Sequence, residues 1–461
     1  MSEGGSAAHR GCASTTRPSG SASGHRALSV LVALILGLIL VAEPSLARPQ
    51  APEAGAVEIQ FREWLARTVW PEAQAQGVAR DTFDRALADV TLDWDLPELQ
   101  RPGAATPDDQ RQAEFRSPGN YFPESQIASL ARTGGSLLKR WSSELDRIEH
   151  RYGVPREIIV AIWGRESQFG RAAPRHPALR VLATQAFMGR RRSLYLPELV
   201  AALTILEQDH LPGEALLSSW AGAMGQPQFL PSKFLRYAVD GDDDGRRDIW
   251  RSAPDSLASI ANYLREHGWN PGRTWGMEVG LPATVSCALE GPQQGRPPGE
   301  WARRGITRVG GEALPPNGSD AAVFLLSPAG RLGPAFLVSE NFYVLKRYNE
   351  SDVYALFVGH LADRIRGASP LVRAWSPIGA LKRSDVMALQ ERLQAQGYDV
   401  GKVDGLIGFA TRTAIGQWQR KSGQAETCFP GPALLQAFRE PIKPDQARRE
   451  IGSGSLPGQK E

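Results

Sequence analysis

The sequence has few cysteines, little net charge and no apolar run of the length that usually crosses a bilayer, and each shortage disfavours a class of protein. Its three cysteines show no spacing with histidine that is typical of a zinc site. The formal net charge of +3 over 461 residues is too small to indicate a nucleic-acid partner. The longest apolar run, residues 27–42, is shorter than the roughly 20 residues that a membrane-spanning helix needs. No repeat of solenoid period is present, so function has to be read from local motifs.

Residues 1–47 are expected to be a signal peptide. A polar segment with basic residues precedes the apolar run, and Ser45 and Ala47 follow it at the small-x-small positions that a signal peptidase accepts. No cysteine follows the run closely, which disfavours lipid attachment. We therefore expect cleavage near Ala47 and export of a mature chain, beginning near Arg48, to the periplasm or the cell wall.

Composition divides the rest of the chain into a large body, a linker and a small C-terminal piece. Residues 57–367 are helix-rich, with short strand-like segments and Gly/Pro-rich loops after Trp275. Residues 368–379 are typical of a linker, residues 380–440 are compactly patterned, and residues 441–461 are expected to be disordered. The predicted fold class is mainly α (α+β), with a small β element.

The cysteines leave a question open about these pieces. Cys12 lies in the predicted signal peptide, whereas Cys287 falls in the large body and Cys428 in the C-terminal piece. In an oxidising compartment these two could pair across the domains. Two unrelated buried thiols are the simpler expectation.

The segment IIVAIWGRESQFGR, residues 158–171, places a glutamate on an apolar helix face. Ile162 and Glu166 are four residues apart and share one stripe of the predicted helix. An ionised carboxylate costs several kcal/mol to bury unless it is paired or protonated. One interpretation is a core carboxylate neutralised by Arg165 or Arg171.

A second interpretation makes Glu166 a catalytic acid. The helical pattern breaks at once into SQFGR, a small polar corner that would leave the carboxylate at the edge of a cleft. Contact with Trp163 and the isoleucines would raise its pKa, which is the condition that a general acid needs near neutral pH.

A second segment, SSWAGAMGQPQFLPS, combines small residues with polar side chains. Its glycines would allow a ligand to approach the backbone, and Ser219, Gln226 and Gln228 would offer hydrogen bonds to hydroxyl and N-acetyl groups. Trp220 and Phe229 are expected to pack in the core. Taken alone, the segment fits a tight packing turn better than a binding loop.

Both segments belong to five motifs that occur in order: GRESQFG, AGAMGQPQFLPS, AVDGDDDGRRDIW, SIANYLREHGW and ENFYVLKRYNESDVYA. Through these motifs residues 57–367 resemble the membrane-bound lytic murein transglycosylase B family, whose catalytic domain has a lysozyme-like fold. The resemblance implies cleavage of the β-1,4 bond between N-acetylmuramic acid and N-acetylglucosamine in peptidoglycan. It implies a 1,6-anhydromuramoyl product, because no water is used.

Glu166 matches the single catalytic carboxylate of that family. The resemblance implies that it first protonates the glycosidic oxygen and then, as carboxylate, takes the proton of the muramoyl C6 hydroxyl that attacks C1. Glycosidases that use water usually need two carboxylates, and the motifs contain no obvious second one at this corner.

The resemblance also implies a set of substrate-binding residues. Ser219 and Gln228 match polar residues of the glycan groove, whereas Tyr263 and Asn341 match residues close to the catalytic glutamate. Tyr121 has the expected separation from that glutamate. For each tyrosine the alternative is a core aromatic with a satisfied hydroxyl.

The acidic segment DGDDDGRRDIWR fits most of an EF-hand loop, and the family has a calcium loop here. The candidate set is Asp240, Asp242, Asp244, Arg246 and Asp248. At position 12 Arg251 replaces the usual bidentate acid, which should weaken binding. The alternative is an acidic turn held by arginines. A bound Ca²⁺ would be structural, and no cofactor is expected to be required.

The segment SDVMALQERLQAQGYDVGKVDGLIGFATRTAIGQWQRKSG resembles the three-helix peptidoglycan-binding module, type 1. The matching residues are Leu389, Leu393, Gly397, Asp404, Gly405, Thr411, Ile415 and Trp418. The resemblance implies wall binding, which would raise the local concentration of substrate. The apolar spacing alone predicts only a small bundle, so a packing domain without a ligand is the alternative.

Three functions are therefore compared. An exported lytic transglycosylase is favoured over a hydrolytic muramidase on the same scaffold and over a non-catalytic peptidoglycan-binding scaffold protein. The expected partner is the peptidoglycan glycan strand, with no nucleic acid. Cell-wall synthases or division proteins are further candidate partners, and a monomer is expected.

Overall fold

Helices form most of the structure, a computed structural model that describes residues 54–100, 117–172, 174–208, 216–314, 321–379 and 381–439. These residues belong to a single compact unit. The mainly α class with a small β element is confirmed. The predicted signal peptide and the predicted disordered tail lie outside the described residues. Within them, no helix is both long and apolar enough to cross a membrane.

The large body contains thirteen of the described helices. They are α1 Ala54–Trp64, α2 Trp70–Ala75, α3 Arg80–Leu87, α4 Glu124–Arg140, α5 Ser142–Tyr152, α6 Arg156–Ser167, α7 Ala178–Met188, α8 Arg192–Glu207, α9 Pro231–Tyr237, α10 Ala253–Glu266, α11 Pro298–Arg303, α12 Glu340–Tyr348 and α13 Asp352–Ile365. A π-helical turn, Leu65–Val69, joins α1 to α2. Single 3₁₀ turns lie at Pro118–Tyr121, Cys287–Leu289, Pro292–Gln294 and Gly330–Leu332.

Helix α6 lies at the centre of the large body. All residues from Ile158 to Gly164 are buried, because α4, α5, α10 and α13 pack around the helix. The predicted single apolar stripe is therefore wrong, since the helix is enclosed on all sides along this stretch. Arg165 and Glu166 are only partly buried. The glutamate thus lies where the helix leaves the core.

The β element is a four-stranded antiparallel sheet in the order β4-β3-β6-β5. Its strands are β3 Gly276–Gly280, β4 Thr307–Arg308, β5 Phe324–Leu326 and β6 Ala335–Val338. Met277 lies opposite Leu337, which in turn lies opposite Leu325. Buried Trp301 of α11 packs in the cluster beneath the sheet. A separate pair, β1 His176–Pro177 and β2 Leu217–Ser218, holds the start of the Ser219 loop against α7.

The C-terminal module has three helices, α14 Arg383–Ala395, α15 Phe409–Lys421 and α16 Pro432–Arg439. The three-helix prediction is thereby confirmed. Leu389, Leu393 and Ile415 are fully buried in its core, as their helical spacing predicts. Gly397 and Gly405 take φ of 85° and 76°, a region in which glycine avoids the strain of a side chain.

A disulfide joins the module to the large body. Cys287 and Cys428 are bonded, with their Cα atoms 6.1 Å apart and a sequence separation of 141. The expectation of two unrelated buried thiols is therefore wrong. The reason is tertiary: α15 packs directly on the 3₁₀ turn that carries Cys287, which brings the two thiols together.

The predicted linker has no regular secondary structure, but it is held against the large body. The amides of Val372 and Arg373 each donate to the carboxylate of Glu278 at 2.9 Å. The ring of Trp375 stacks on Phe122 with the centroids 5.1 Å apart. The linker to the C-terminal module is thus fixed on the surface of the large body.

Candidate active site

The corner after α6 presents the catalytic candidate. Three consecutive residues, Gln168, Phe169 and Gly170, have φ of 51°, 62° and 77°. Two of them are not glycine, and such residues cost of order 1–3 kcal/mol in this region, a strain that clusters at functional sites. The predicted break in the helix is confirmed. Helix α6 ends at Ser167, one residue after Glu166.

Glu166 is bonded to a tyrosine from a distant helix. The hydroxyl of Tyr354, in the first turn of α13, donates to Oε1 of Glu166. Burial raises the pKa of Glu166, whereas the Tyr354 hydrogen bond and the charges of Arg165 and Lys233 act to lower it; the net direction is upward. A carboxyl group held in this way is protonated at higher pH than an exposed glutamate, as a general acid requires.

The arginines considered as neutralising partners of Glu166 have other positions. Arg165 donates from Nη2 to the hydroxyl of Tyr121 at 2.7 Å, and its guanidinium lies 4.6 Å from the Tyr121 ring centroid and 4.9 Å from that of Phe357. Arg171 is exposed in the loop beyond the corner. The structure therefore does not show the core ion pair that was the structural alternative for Glu166.

A buried aromatic cluster with one lysine adjoins the glutamate. The rings of Tyr348 and Tyr354 stack at 6.4 Å, and the Tyr348 hydroxyl donates to the Pro227 carbonyl at 2.6 Å. Lys233 Nζ lies 4.9 Å from the Tyr263 ring centroid and 5.6 Å from that of Tyr348. Burial lowers the pKa of Lys233, opposed by nearby carboxylates that include Glu166.

The loop after β2 is folded by its own side chains. Ser219 Oγ accepts from the amides of Ala221 at 3.4 Å and Ala223 at 3.2 Å. Gln228 has φ of 54°, and its side-chain amide donates to the Gly225 carbonyl at 2.8 Å. Both Ser219 and Gln228 remain partly exposed. The loop is therefore ordered by internal hydrogen bonds and still presents polar side chains at its surface.

Gln226 is not available to a ligand, contrary to expectation. It is only 7% exposed; its Oε1 accepts from Trp163 Nε1 at 2.7 Å and its Nε2 donates to the Trp250 carbonyl at 3.1 Å. A Cβ at Gly170 would come within 2.6 Å of that Oε1. Gln226 therefore joins the loop to α6 and explains why the corner after the glutamate contains a glycine.

The two aromatics of this loop differ in environment. Phe229 is fully buried, as predicted. The expectation that Trp220 packs in the core is wrong, because its side chain is 39% exposed next to Ser219. Trp is enriched at interfaces because it combines a large apolar area with a polar N–H.

The remaining predicted residues lie at different depths. Tyr121 is partly exposed and contacts Arg165, the neighbour of Glu166. Tyr263 is buried and its hydroxyl donates to the Arg347 carbonyl. Asn341, at the start of α12, has no exposed surface, and its side-chain amide is hydrogen-bonded to the backbone of Asn270 and Arg273. Because its polar atoms are engaged in these bonds, Asn341 offers no atom to a glycan in this conformation.

The acidic loop brings together part of the predicted cation set. Carboxylate oxygens of Asp240, Asp242 and Asp244 lie within 4.8 Å of one another, which fits the first three ligands of a hard cation. Asp248 is not among them; its Oδ1 accepts from the amides of residues 250 and 251. Arg246 donates its backbone amide to Asp244 Oδ1 at 2.8 Å, and Arg251 is exposed.

One acidic residue of this region escaped sequence analysis. Asp255, in the first turn of α10, accepts from the amides of Gly241 and Asp248, each at 2.7 Å. Burial raises its pKa, as does the proximity of Asp242 and Asp240. Asp255 thus ties both ends of the acidic loop to the first turn of α10.

Comparison with known proteins follows this geometry. Residues 60–363 match the family described as Transglycosylase SLT domain, and residues 382–438 match the one described as Putative peptidoglycan binding domain. The chain is 32% identical over 239 residues to membrane-bound lytic murein transglycosylase B of Escherichia coli (strain K12). That alignment covers 51% of this chain and 63% of the relative.

Solved structures show the same architecture. SltB3 from Pseudomonas aeruginosa, solved in complex with NAG-anhNAM-pentapeptide, is 40% identical, with a TM-score of 0.72 over 82% of this chain and 99% of that chain. SltB1 from Pseudomonas aeruginosa is 29% identical, with a TM-score of 0.54 over 67% of this chain and 97% of that chain. Escherichia coli SLT35 in complex with calcium is 26% identical, with a TM-score of 0.50 over 69% of this chain and 93% of that chain.

The fold is thus that of a lytic transglycosylase of lysozyme-like architecture. The chain belongs to the transglycosylase SLT family and carries a C-terminal domain of the peptidoglycan-binding type. Both resemblances noted in the sequence are confirmed.

Proposed function

We propose that the protein cleaves the β-1,4 bond between N-acetylmuramic acid and N-acetylglucosamine in peptidoglycan, without water, using Glu166 as acid and then base. The observation that carries this proposal is the state of Glu166: a carboxyl at the exit of a buried helix, with a raised pKa and a tyrosine hydroxyl on one oxygen. The charged groups that act on it, Arg165 and Lys233, are both cations. A hydrolase of the usual kind would need a second carboxylate.

The reaction then uses Glu166 twice. The protonated carboxyl gives its proton to the glycosidic oxygen as the bond from that oxygen to the muramoyl C1 breaks, and the bonding electrons stay with the oxygen. The resulting carboxylate takes the proton of the muramoyl C6 hydroxyl, whose oxygen bonds to C1. Tyr354 and Lys233 stabilise the carboxylate between the two transfers, because a donated hydrogen bond and a nearby positive charge both favour the ionised form.

The groove residues divide into contacts and supports. We place Ser219, Gln228 and Tyr121 at the glycan, together with Trp220, because these side chains are at least partly exposed around the corner. Tyr263 and Asn341 act indirectly, by holding the helices that carry the site.

Mass spectrometry of fragments released from purified peptidoglycan tests the activity. We expect muramoyl ends lighter by one water than reducing ends, and none with the Glu166→Gln variant at unchanged folding and binding. Reducing ends would instead identify a hydrolytic muramidase. Binding without any fragments would identify a non-catalytic scaffold protein.

We further propose an exported protein whose C-terminal domain adsorbs to the cell wall. The support is the signal-like sequence ending near Ala47 and the family of the C-terminal domain. Secretion of the full-length chain, followed by N-terminal sequencing of the mature protein, tests the cleavage site. Retention of residues 1–47 in the exported protein would contradict it.

A structural calcium ion at Asp240, Asp242 and Asp244 is a separate proposal. Its support is the convergence of three carboxylates and the calcium in the SLT35 complex. Titration calorimetry of the purified protein with Ca²⁺, with Asp242→Asn as control, tests it. Equal heats for both proteins would contradict a site here.

A further inference from the structure

A buried ion cluster crosses the boundary between the C-terminal module and the large body. Arg412 of α15 has a side chain only 2% exposed, and its Nε and Nη2 reach the Glu290 carboxylate at 3.0 and 2.6 Å. Its Nη2 also reaches Asp352 Oδ2 at 2.8 Å, while Lys346 holds Asp352 Oδ1 at 2.6 Å. Charges this deeply buried are costly unless each is paired, so the cluster fixes how the module docks.

The surfaces around the cluster leave no room for the module to shift. A Cβ at Gly330 of the large body would lie 2.0 Å from the Thr427 carbonyl of the module. A Cβ at Gly416 of α15 would lie 3.1 Å from that of Ala288. The Cys287–Cys428 disulfide closes the same surface. The module is therefore packed closely against the large body and is not connected to it by the linker alone.

The cluster ends at the helix that serves the catalytic glutamate. Asp352 is the first residue of α13, and Tyr354, two residues later, donates to Glu166. The hydroxyl of Ser351 caps this turn by accepting from the Tyr354 amide at 3.4 Å. One helical turn thus links the arginine of the module to the hydroxyl on the catalytic carboxyl.

We propose that Arg412 is a positioning residue for catalysis: by fixing Asp352 it holds the first turn of α13, and with it Tyr354, against Glu166. The C-terminal module is then a structural part of the active site as well as a wall-binding domain. This inference rests on the proposed role of Glu166 as the acid.

The test compares two arginines of the same helix in the full-length protein. Arg412→Met removes the guanidinium but keeps most of the apolar stem. Arg420→Met is the matched control, because Arg420 also bridges to the body through Ser286, and its partners Ser286 and Glu426 both lie outside α13. Kinetics on a soluble glycan of fixed length, as a function of pH, avoid any contribution from wall adsorption.

We expect Arg412→Met to lower kcat by roughly ten- to a hundredfold, because the hydrogen bond from Tyr354 to the Glu166 carboxylate is weakened or lost in the transition state. KM should change less than about twofold. The alkaline limb of the pH–rate profile of Arg412→Met should move to higher pH, because Tyr354 no longer favours the ionised form of Glu166. Arg412→Lys should recover part of the loss by keeping the charge. Arg420→Met should leave kcat and the limb unchanged.

A double-mutant cycle isolates the coupling. In a Tyr354→Phe background, Arg412→Met should cause no further shift of the alkaline limb, because the contact through which it acts is already gone. If Arg412→Met folds poorly, the double variant Arg412→Met/Glu290→Gln is used for the same measurement, because it also removes the Glu290 charge that Arg412→Met leaves buried without its partner.

Three results would overturn the inference: unchanged kcat and pH limb in Arg412→Met, an equal loss in Arg420→Met, or an undiminished effect of Arg412→Met without the Tyr354 hydroxyl. If Glu166→Gln stays active, the proposed mechanism itself fails. If Glu166→Gln is inactive while Arg412→Met behaves as wild type, only the positioning role is lost.

Discussion

Removal of the Tyr354 hydroxyl is the most direct test of how the active-site carboxyl is controlled. Tyr354→Phe keeps the ring that stacks on Tyr348 and deletes only the group that donates to Glu166 Oε1. Tyr354 is only 2% exposed, so water cannot readily replace the lost donor. The variant therefore leaves the carboxylate less stabilised with the packing around it preserved.

The size of the effect follows from the kind of bond. A hydrogen bond to a charged group is worth about 1.5–3 kcal/mol, and it is fully formed only when Glu166 has given up its proton. Losing it after the first transfer should slow the reaction by roughly ten- to 150-fold. The same loss raises the pKa of Glu166 further. Since the acid must be protonated to act, the alkaline limb of the pH profile should move upward.

The assay is the rate of anhydromuramoyl product formation from soluble glycan between pH 4 and 9, with folding followed by circular dichroism. Tyr348→Phe is the control, because it removes a buried hydroxyl from the same cluster that bonds the Pro227 carbonyl. We expect the control to keep the alkaline limb in place. A limb that moves downward in Tyr354→Phe, or that does not move while the rate is unchanged, would refute the reasoning.

Three further outcomes are expected. Lys233→Met should shift the alkaline limb upward, because the lysine charge lowers the pKa of Glu166, and a downward shift in the pH–rate profile would contradict this. Replacing Cys287 and Cys428 by Ser opens a closure over 141 residues and should lower the free energy of unfolding in urea by up to about 5 kcal/mol, with an unchanged midpoint as the contrary result. Arg251→Glu restores the acid at position 12 and should tighten Ca²⁺ binding in calorimetry, unless the loop binds no ion.

Local features of the site were predictable because local rules produce them. The Gly-containing corner after α6 ends the helix where the pattern stops, and the turn containing Ser219 forms through contacts within a few residues. Glu166 stood out because a carboxylate on an otherwise apolar helix breaks the pattern. Each of these signals lies within a window of about fifteen residues.

The groups that complete the site come from far along the chain. Tyr354 is 188 residues from Glu166, and Arg412 is 122 residues from Glu290. Tyr348 and Tyr354 lie within the motif ENFYVLKRYNESDVYA, so their region was visible, but which tyrosine faces the carboxyl depends on the break between α12 and α13. The disulfide was missed for the same reason, because pairing depends on Cα separation in the folded chain.

A single carboxyl that serves as acid and then as base, the role proposed for Glu166, must hold its proton before the sugar binds and be able to lose it afterwards. Burial alone would keep the proton on the group and leave it a poor base, whereas cations alone would strip the proton before the sugar arrives. Glu166 has both influences: an enclosing helix packing raises its pKa, and Tyr354, Arg165 and Lys233 oppose that rise. Because Tyr354 stands on a helix whose first residue is held by Arg412, the balance depends on a residue of the C-terminal domain. Breaking the interface with the C-terminal domain is therefore expected to impair the chemistry at Glu166.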